Sequence, residues 1–193
     1  AGDAEGGFFI GGQFTSIGGR ARTNLAHIRG DRTVNPSWSP TADKAVTTML
    51  YHDGVVYLLG DFTQVNGLPR SKIAAVDATT GASLAWSPSV NGDVYAIAAT
   101  NEVVYLGGQI FQVNGEQRGH LVAVDARSGI TTPWRPRADD WVSALALGPG
   151  QLFAGGRFRN IGGQPRSFVA GIDLVTGQAT AFTPSLTGAV YAW

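Results

Sequence analysis

Apolar residues come along this chain in short bursts between turn formers, and the bursts recur. Val94-Tyr95-Ala96-Ile97-Ala98, Val103-Val104-Tyr105-Leu106-Gly107 and Leu121-Val122-Ala123-Val124-Asp125 are rich in β-branched and aromatic residues and are bounded by Asn, Gly or Asp. Runs of this kind predict strands. No stretch sustains apolar positions at i, i+3, i+4 and i+7, so no helix is predicted. We label the strands A (94–98), B (103–107) and C (121–125), with a fourth, D, from Thr131 to Trp134. A short turn around Asn101 joins A to B. A longer loop carrying Val113-Asn114-Gly115 joins B to C, and Asp125 to Gly129 forms the C–D turn; both are strong turn signals.

The pattern has a fixed period. Phe9-Ile10-Gly11-Gly12-Gln13-Phe14 returns at Tyr57 to Phe62, Tyr105 to Ile110 and Phe153 to Phe158, each 48 residues on. Arg22, Arg70, Arg118 and Arg166 keep the same step. So do Trp38, Trp86, Trp134 and Phe182, each followed two residues later by a proline. Four copies fill residues 1–48, 49–96, 97–144 and 145–193 without insertion, and the second and third share 19 of 48 positions. A four-stranded unit of this length belongs with propeller blades. The expected fold is an all-β propeller of four blades, one domain over 1–193. The aromatic series Trp38, Trp86, Trp134 and Phe182 is expected to pack between blades, and Phe14, Phe62 and Phe158 to plug the B–C loop. The Gly-Gly pairs of strand B are expected to permit close approach of a neighbouring backbone or ring.

The segment from Ala75-Val76-Asp77-Ala78-Thr79-Thr80-Gly81 to Trp86 resembles the tryptophan-docking motif of quinoprotein alcohol dehydrogenase propellers. The whole unit, with Val56 to Arg70 and Val104 to Arg118, is more similar to a bacterial β-propeller repeat family whose hallmark is Gly-Gly-x-Phe-x-x-Val-Asn-Gly-x-x-Arg. It is more weakly similar to repeats of fungal cortical cell-polarity marker proteins. The resemblance implies the propeller fold and no catalytic residues. The quinone- and calcium-binding residues of the dehydrogenases have no counterpart, so neither cofactor nor metal is expected.

The ends bear on closure. Ala1 to Ala4 fall in the register of strand A but make a poor strand, whereas residues 189–193 make a good one with no blade after it. Pairing of 189–193 with Phe8 to Gly12 gives a four-bladed ring within one chain, or an eight-bladed ring between two. Alternatively the chain is a portion of a longer propeller.

Composition narrows the partners. With 14 Lys+Arg, 14 Asp+Glu and pI 7.1, no basic footprint for nucleic acid or anionic membrane is expected. No apolar run is long enough for membrane insertion. There is no cysteine, hence no thiol chemistry. The near-absence of lysine, the Thr/Asn/Gly-rich composition and the resembling family point to a bacterial extracellular or cell-surface location.

Enzymatic chemistry is not expected. His27, His52 and His120 occupy unrelated repeat positions without metal-ligand spacing. Asp77, Asp125 and Asp173 precede Gly81, Gly129 and Gly177 and read as Asx turns; the first repeat, with Arg29 and Thr33 at these positions, must turn differently. The four arginines precede strand C by too much to meet the Asp at its far end, about 23 Å away along an extended strand. They are expected either to bond loop carbonyls or to form a ring for anions or acidic sugars. The D–A loops, expected on the same face as the B–C loops, carry Asp43, Asn91, Asp139, Asp140 and Trp141. Loops on a rigid scaffold commonly carry binding, and an exposed tryptophan can stack on a sugar or anchor a partner. The expected function is thus non-enzymatic binding of a protein or glycan through this face. The alternatives are an assembly module of a larger extracellular protein and, more remotely, a glycan hydrolase or lyase using the adjacent Asp139 and Asp140.

Overall fold

The computed structural model describes residues 1–192. Among them every regular element is a β-strand, and every pairing is antiparallel. The chain divides into two compact units that meet between Ser87 and Pro88.

The first unit holds repeats one and two. In the first, strand B (Phe8–Gly11) pairs with strand C (Leu25–Ile28). Strand A is a stub: Gly2 bridges Phe8, and Ala1 and Phe9 exchange backbone hydrogen bonds. The second is a full A–B–C meander of Val46–His52, Val55–Gly60 and Ile73–Asp77. The second unit has two such meanders. Repeat three uses Val90–Ala99, Val103–Val113 and Leu121–Asp125, and repeat four Val142–Gly148, Gln151–Gly156 and Val169–Asp173. Each full strand A carries a bulge at the same repeat position: Thr47, Tyr95 and Ser143.

Strand D departs from expectation. It is reduced to one bridge per repeat: Ile28 with Val34, Val76 with Ser83, Val124 with Thr131 and Ile172 with Ala179. The proline two residues beyond each aromatic lacks a donor and cannot extend the ladder. The B–C loop is itself ordered. It forms a small hairpin (Gln64–Val65 with Leu68–Pro69 in repeat two) around a two-residue turn with both φ angles positive, Asn66 at 51° and Gly67 at 74°. The hairpin folds back toward the C–D turn rather than standing out as a loop. Asn66 Nδ2 donates to the Gly81 carbonyl at 2.9 Å, and Asn66 Oδ1 accepts from Thr41 N–H at 2.9 Å. Asn114 repeats this with Gly129 and Ser89.

Each unit has its core between consecutive repeats. In the first, Phe9, Leu25 and Trp38 meet Val56, Leu58 and Phe62. In the second, Tyr105, Leu121 and Trp134 meet Leu152, Phe158 and Ile161. Buried side chains of this size each contribute about 1.5–3 kcal/mol. Trp38 Nε1 donates to the carbonyl of Asp77, and Trp134 Nε1 to that of Asp173, so each indole docks on the end of strand C in the following repeat. Trp86 is also buried, edge-on to Tyr57 at 5.0 Å. Strand B glycines permit the approach: a Cβ on Gly11 would lie 2.6 Å from Val46 Cγ1, and one on Gly107 2.8 Å from Val142 Cγ1. Phe62 and Phe158 are fully buried plugs, while Phe14 is half-buried.

Phe182 differs from the tryptophans. Its ring lies edge-on to Phe153 at 4.9 Å, as Trp134 lies on Tyr105, but it is 37% exposed. The closing strand expected at 189–193 is not formed over 189–192, and Trp193 lies outside the described residues. Val190 N–H instead reaches Gly156 O at 3.4 Å, and its carbonyl accepts from Ser143 Oγ at 2.5 Å. The first of these contacts repeats, three periods on, the bond from Val46 N–H to Gly12 O.

Candidate functional site

Three of the four periodic arginines act as clasps. Arg22, Arg70 and Arg166 each donate Nη1 to the carbonyl of the preceding residue and Nη2 to the segment after strand C. The Nη2 partners are the carbonyls of Asn35 and Pro36, of Leu84, and of Thr180. Their planar forks tie the B–C hairpin to the D segment, the first of the two roles expected of them. The Asx turns form as expected. Asp77 Oδ1 accepts from Thr79 N–H, Thr80 N–H and Thr80 Oγ1, and the backbone bond from Thr80 leads the forces holding its carboxyl below the usual range. Asp125 and Asp173 repeat the pattern on Ser128 and Thr176. The first repeat turns on Asp31, which accepts from Thr33 N–H and Oγ1.

The D–A acids are also engaged internally. Asp43 accepts from Thr63 N–H and Oγ1 and from Gln64 N–H, and the Thr63 hydroxyl bond leads a drop of its pKa to about 2. Asp139 accepts from Arg159 N–H, Asn160 N–H and Asn160 Nδ2. Burial raises its pKa, but these hydrogen bonds outweigh it and leave the carboxyl below its ordinary value. Asp140 turns elsewhere, accepting from Trp141 N–H and lying 3.9 Å from Arg157 Nε. The two adjacent carboxylates therefore turn to different partners. Asn91, at the position of Asp43 and Asp139, lies in the extended strand A of repeat three opposite Gln112. Without an aspartate there to take the B–C backbone N–H groups, both strands run on. Trp141 is half-buried, with Arg157 5.0 Å above its ring and Tyr95 at 6.1 Å. It packs locally against these two side chains.

Arg118 breaks the clasp pattern. Its side chain is 4% exposed, yet Nη2 goes to Glu116 Oε2 at 2.6 Å, and Nη1 has no hydrogen-bond partner among the described residues. A buried donor left unmet costs about 1–3 kcal/mol. The cause is local. Glu116 stands where the other repeats have Arg20, Leu68 and Gln164, and its carboxylate also accepts from Arg135 at 3.3 Å and Thr131 Oγ1 at 3.0 Å. Burial first, and Arg135 second, lower the Arg118 pKa, while Glu116 opposes them. Arg118 lines a cleft of about 330 Å³ together with Gln117, Gly119, Leu121, Arg135 and Arg137. B–C residues form one side and D–A residues the other. Arg135 and Arg137 replace Ser39, Ser87 and Thr183, and Thr41, Ser89 and Ser185, of the other repeats. That substitution of cations for hydroxyls in one repeat was the available signal for the site, and attention to strictly periodic residues passes over it.

His27 is the other buried polar group of note. Its Nε2 lies 2.7 Å from Asp3 and its Nδ1 3.0 Å from Asn35. With a proton on Nε2 the ring donates to Asp3, and Nδ1 accepts from Asn35 Nδ2. Burial raises the Asp3 pKa, but bonds from His27, Glu5 and Gly7 bring it below the usual value. The pair anchors the N-terminal segment to strand C. No group of three or more His, Asp or Glu able to hold a metal occurs among the described residues, and no helix there is long and apolar enough to cross a membrane. Neither a family model nor a curated protein matches the chain.

Proposed function

We propose that the chain is a non-catalytic binding module, built on a four-bladed β-propeller arrangement and engaging an extracellular protein or glycan through its B–C and D–A segments. The cleft of the third repeat carries this reading. There B–C and D–A residues enclose a hollow whose arginines at 135 and 137 depart from the repeat and whose Arg118 leaves its clasp. The other three periodic arginines donate both Nη atoms to carbonyls. Support for the propeller arrangement comes from the unbroken 48-residue step and from Trp38 and Trp134 docking on the next repeat. Val190 adds to this by sitting on Gly156 as Val46 sits on Gly12. Residues 189–192 then lie where strand A lies in the other repeats. Gel filtration with light scattering tells a ring of one chain from a ring of two.

The binding reading is tested on arrays of glycans and extracellular proteins with the wild type and Gln117→Trp, which fills the cleft without changing charge. Specific binding abolished by the indole supports it. Silence on both arrays, or binding indifferent to the substitution, refutes it.

A further inference from the structure

Resting on that reading, we infer that the cleft bounded by Arg118, Arg135 and Arg137 binds a compact oxyanion, a carboxylate, sulfate or phosphate, carried on a polar ligand of about monosaccharide size. Three guanidinium groups serve this hollow and one carboxylate, Glu116, offsets them. Arg118 is nearly all buried and keeps Nη1 without a partner, although the equivalent atom of its three counterparts donates to a carbonyl. An unmet donor beside two further cations is complementary to an acceptor bearing negative charge.

Glu116 indicates how such a group is held. Its carboxylate already bridges Arg118 and Arg135 and takes the Thr131 hydroxyl, so these donors converge where one oxyanion sits. The Glu116 side chain is 49% exposed and can withdraw into solvent. An incoming oxyanion displaces it and takes over the Arg118, Arg135 and Thr131 donors, with Arg137 beside them. The remaining lining favours a polar ligand: Gln117 offers an amide to a hydroxyl, and Leu121 is the one large apolar side chain among the lining residues.

The test is calorimetric titration of the full chain with D-galacturonate, sodium sulfate, inorganic phosphate and neutral D-galactose, with the arginine side-chain N–H resonances followed by NMR. The expected result is saturable binding of one or more of the anions and not of galactose, with the Arg118 resonances shifting. The tightest anion identifies the oxyanion class. Arg137→Ala, at an exposed position, weakens binding roughly tenfold, the effect of losing one charge-assisted hydrogen bond. Glu116→Gln, which removes the internal competitor, tightens it severalfold. Urea midpoints of both variants near the wild type show that the fold is intact. Equal binding of galactose and galacturonate overturns the inference, as does weaker binding in Glu116→Gln or absence of saturable anion binding in the wild type. A neutral array ligand blocked by Gln117→Trp, with no anion bound, leaves the binding module standing and removes only the oxyanion.

Discussion

Replacing Trp38 measures how much the docking of one repeat on the next stabilises the protein. Its ring is fully buried, contacts Phe9 at a centroid distance of 5.0 Å, and donates Nε1–H to the Asp77 carbonyl at 3.1 Å. A buried tryptophan removes about 150–250 Å² from water. At about 25 cal/mol per Å² this gives roughly 4–6 kcal/mol as an upper bound. Large-to-small replacements of aromatics in cores cost about 3–5 kcal/mol, and we expect that range for Trp38→Ala. Trp38→Phe separates the hydrogen bond from the packing. It retains a ring against Phe9, and the Asp77 carbonyl keeps its bond from Gly81 N–H, so the loss should be near 1 kcal/mol. Phe182→Ala, at the equivalent but 37% exposed position, should also cost only about 1 kcal/mol, since part of its ring already meets water. Urea unfolding followed by far-UV circular dichroism reads all three from the midpoint at constant m. A loss under about 1 kcal/mol for Trp38→Ala, or equal losses at 38 and 182, would refute the assignment of this contact as the principal repeat-to-repeat anchor.

Acid should expose the Asp43 pin. Its folded pKa is depressed from 3.8 to about 2, so its contribution is complete above the unfolded value and is lost as pH falls through the folded one. Urea midpoints should therefore drop between about pH 4 and 2, and less steeply in Asp43→Asn; identical pH profiles would remove the pin. Gly107→Ala should cost about 1–3 kcal/mol because its Cβ would press on the Val142 side chain and carbonyl, whereas Gly115→Ser tests backbone conformation alone, with φ at 79° and open space around it. Denaturant melts that leave Gly107→Ala as stable as wild type would show that the strands can separate without penalty. Asn114→Ala should lose about 1–3 kcal/mol, since Ser89 N–H and the Gly129 carbonyl both lose a partner; faster amide exchange at Ser89 checks it.

Much of the architecture can be read from periodicity. The 48-residue step, the Asn66-Gly67 and Asn114-Gly115 turns and the Asp77, Asp125 and Asp173 caps depend on residues close in sequence, where side-chain chemistry acts on its own backbone. Strand D is reduced to a single bridge because Trp134 serves the packing against the next repeat rather than a ladder. The internal partners of the D–A acids are hidden for a related reason. Asp43 meets Thr63 and Asp139 meets Asn160, about twenty positions on, and spacing does not reveal whether a carboxylate faces solvent or a neighbouring loop. Arg118 was singled out with its three counterparts, but Arg135, Arg137 and Glu116, which set it apart, were not.

The linear chain alone determined that the protein is built from repeated antiparallel strands with aromatics at fixed stations, because hydrophobic alternation and turn chemistry are local and recur in each copy. Tertiary structure decided which repeated polar groups are spent and which remain available. Burial and hydrogen-bond satisfaction depend on what packs alongside, so one glutamate in the third repeat diverts Arg118 from the clasp that its sequence equivalents complete.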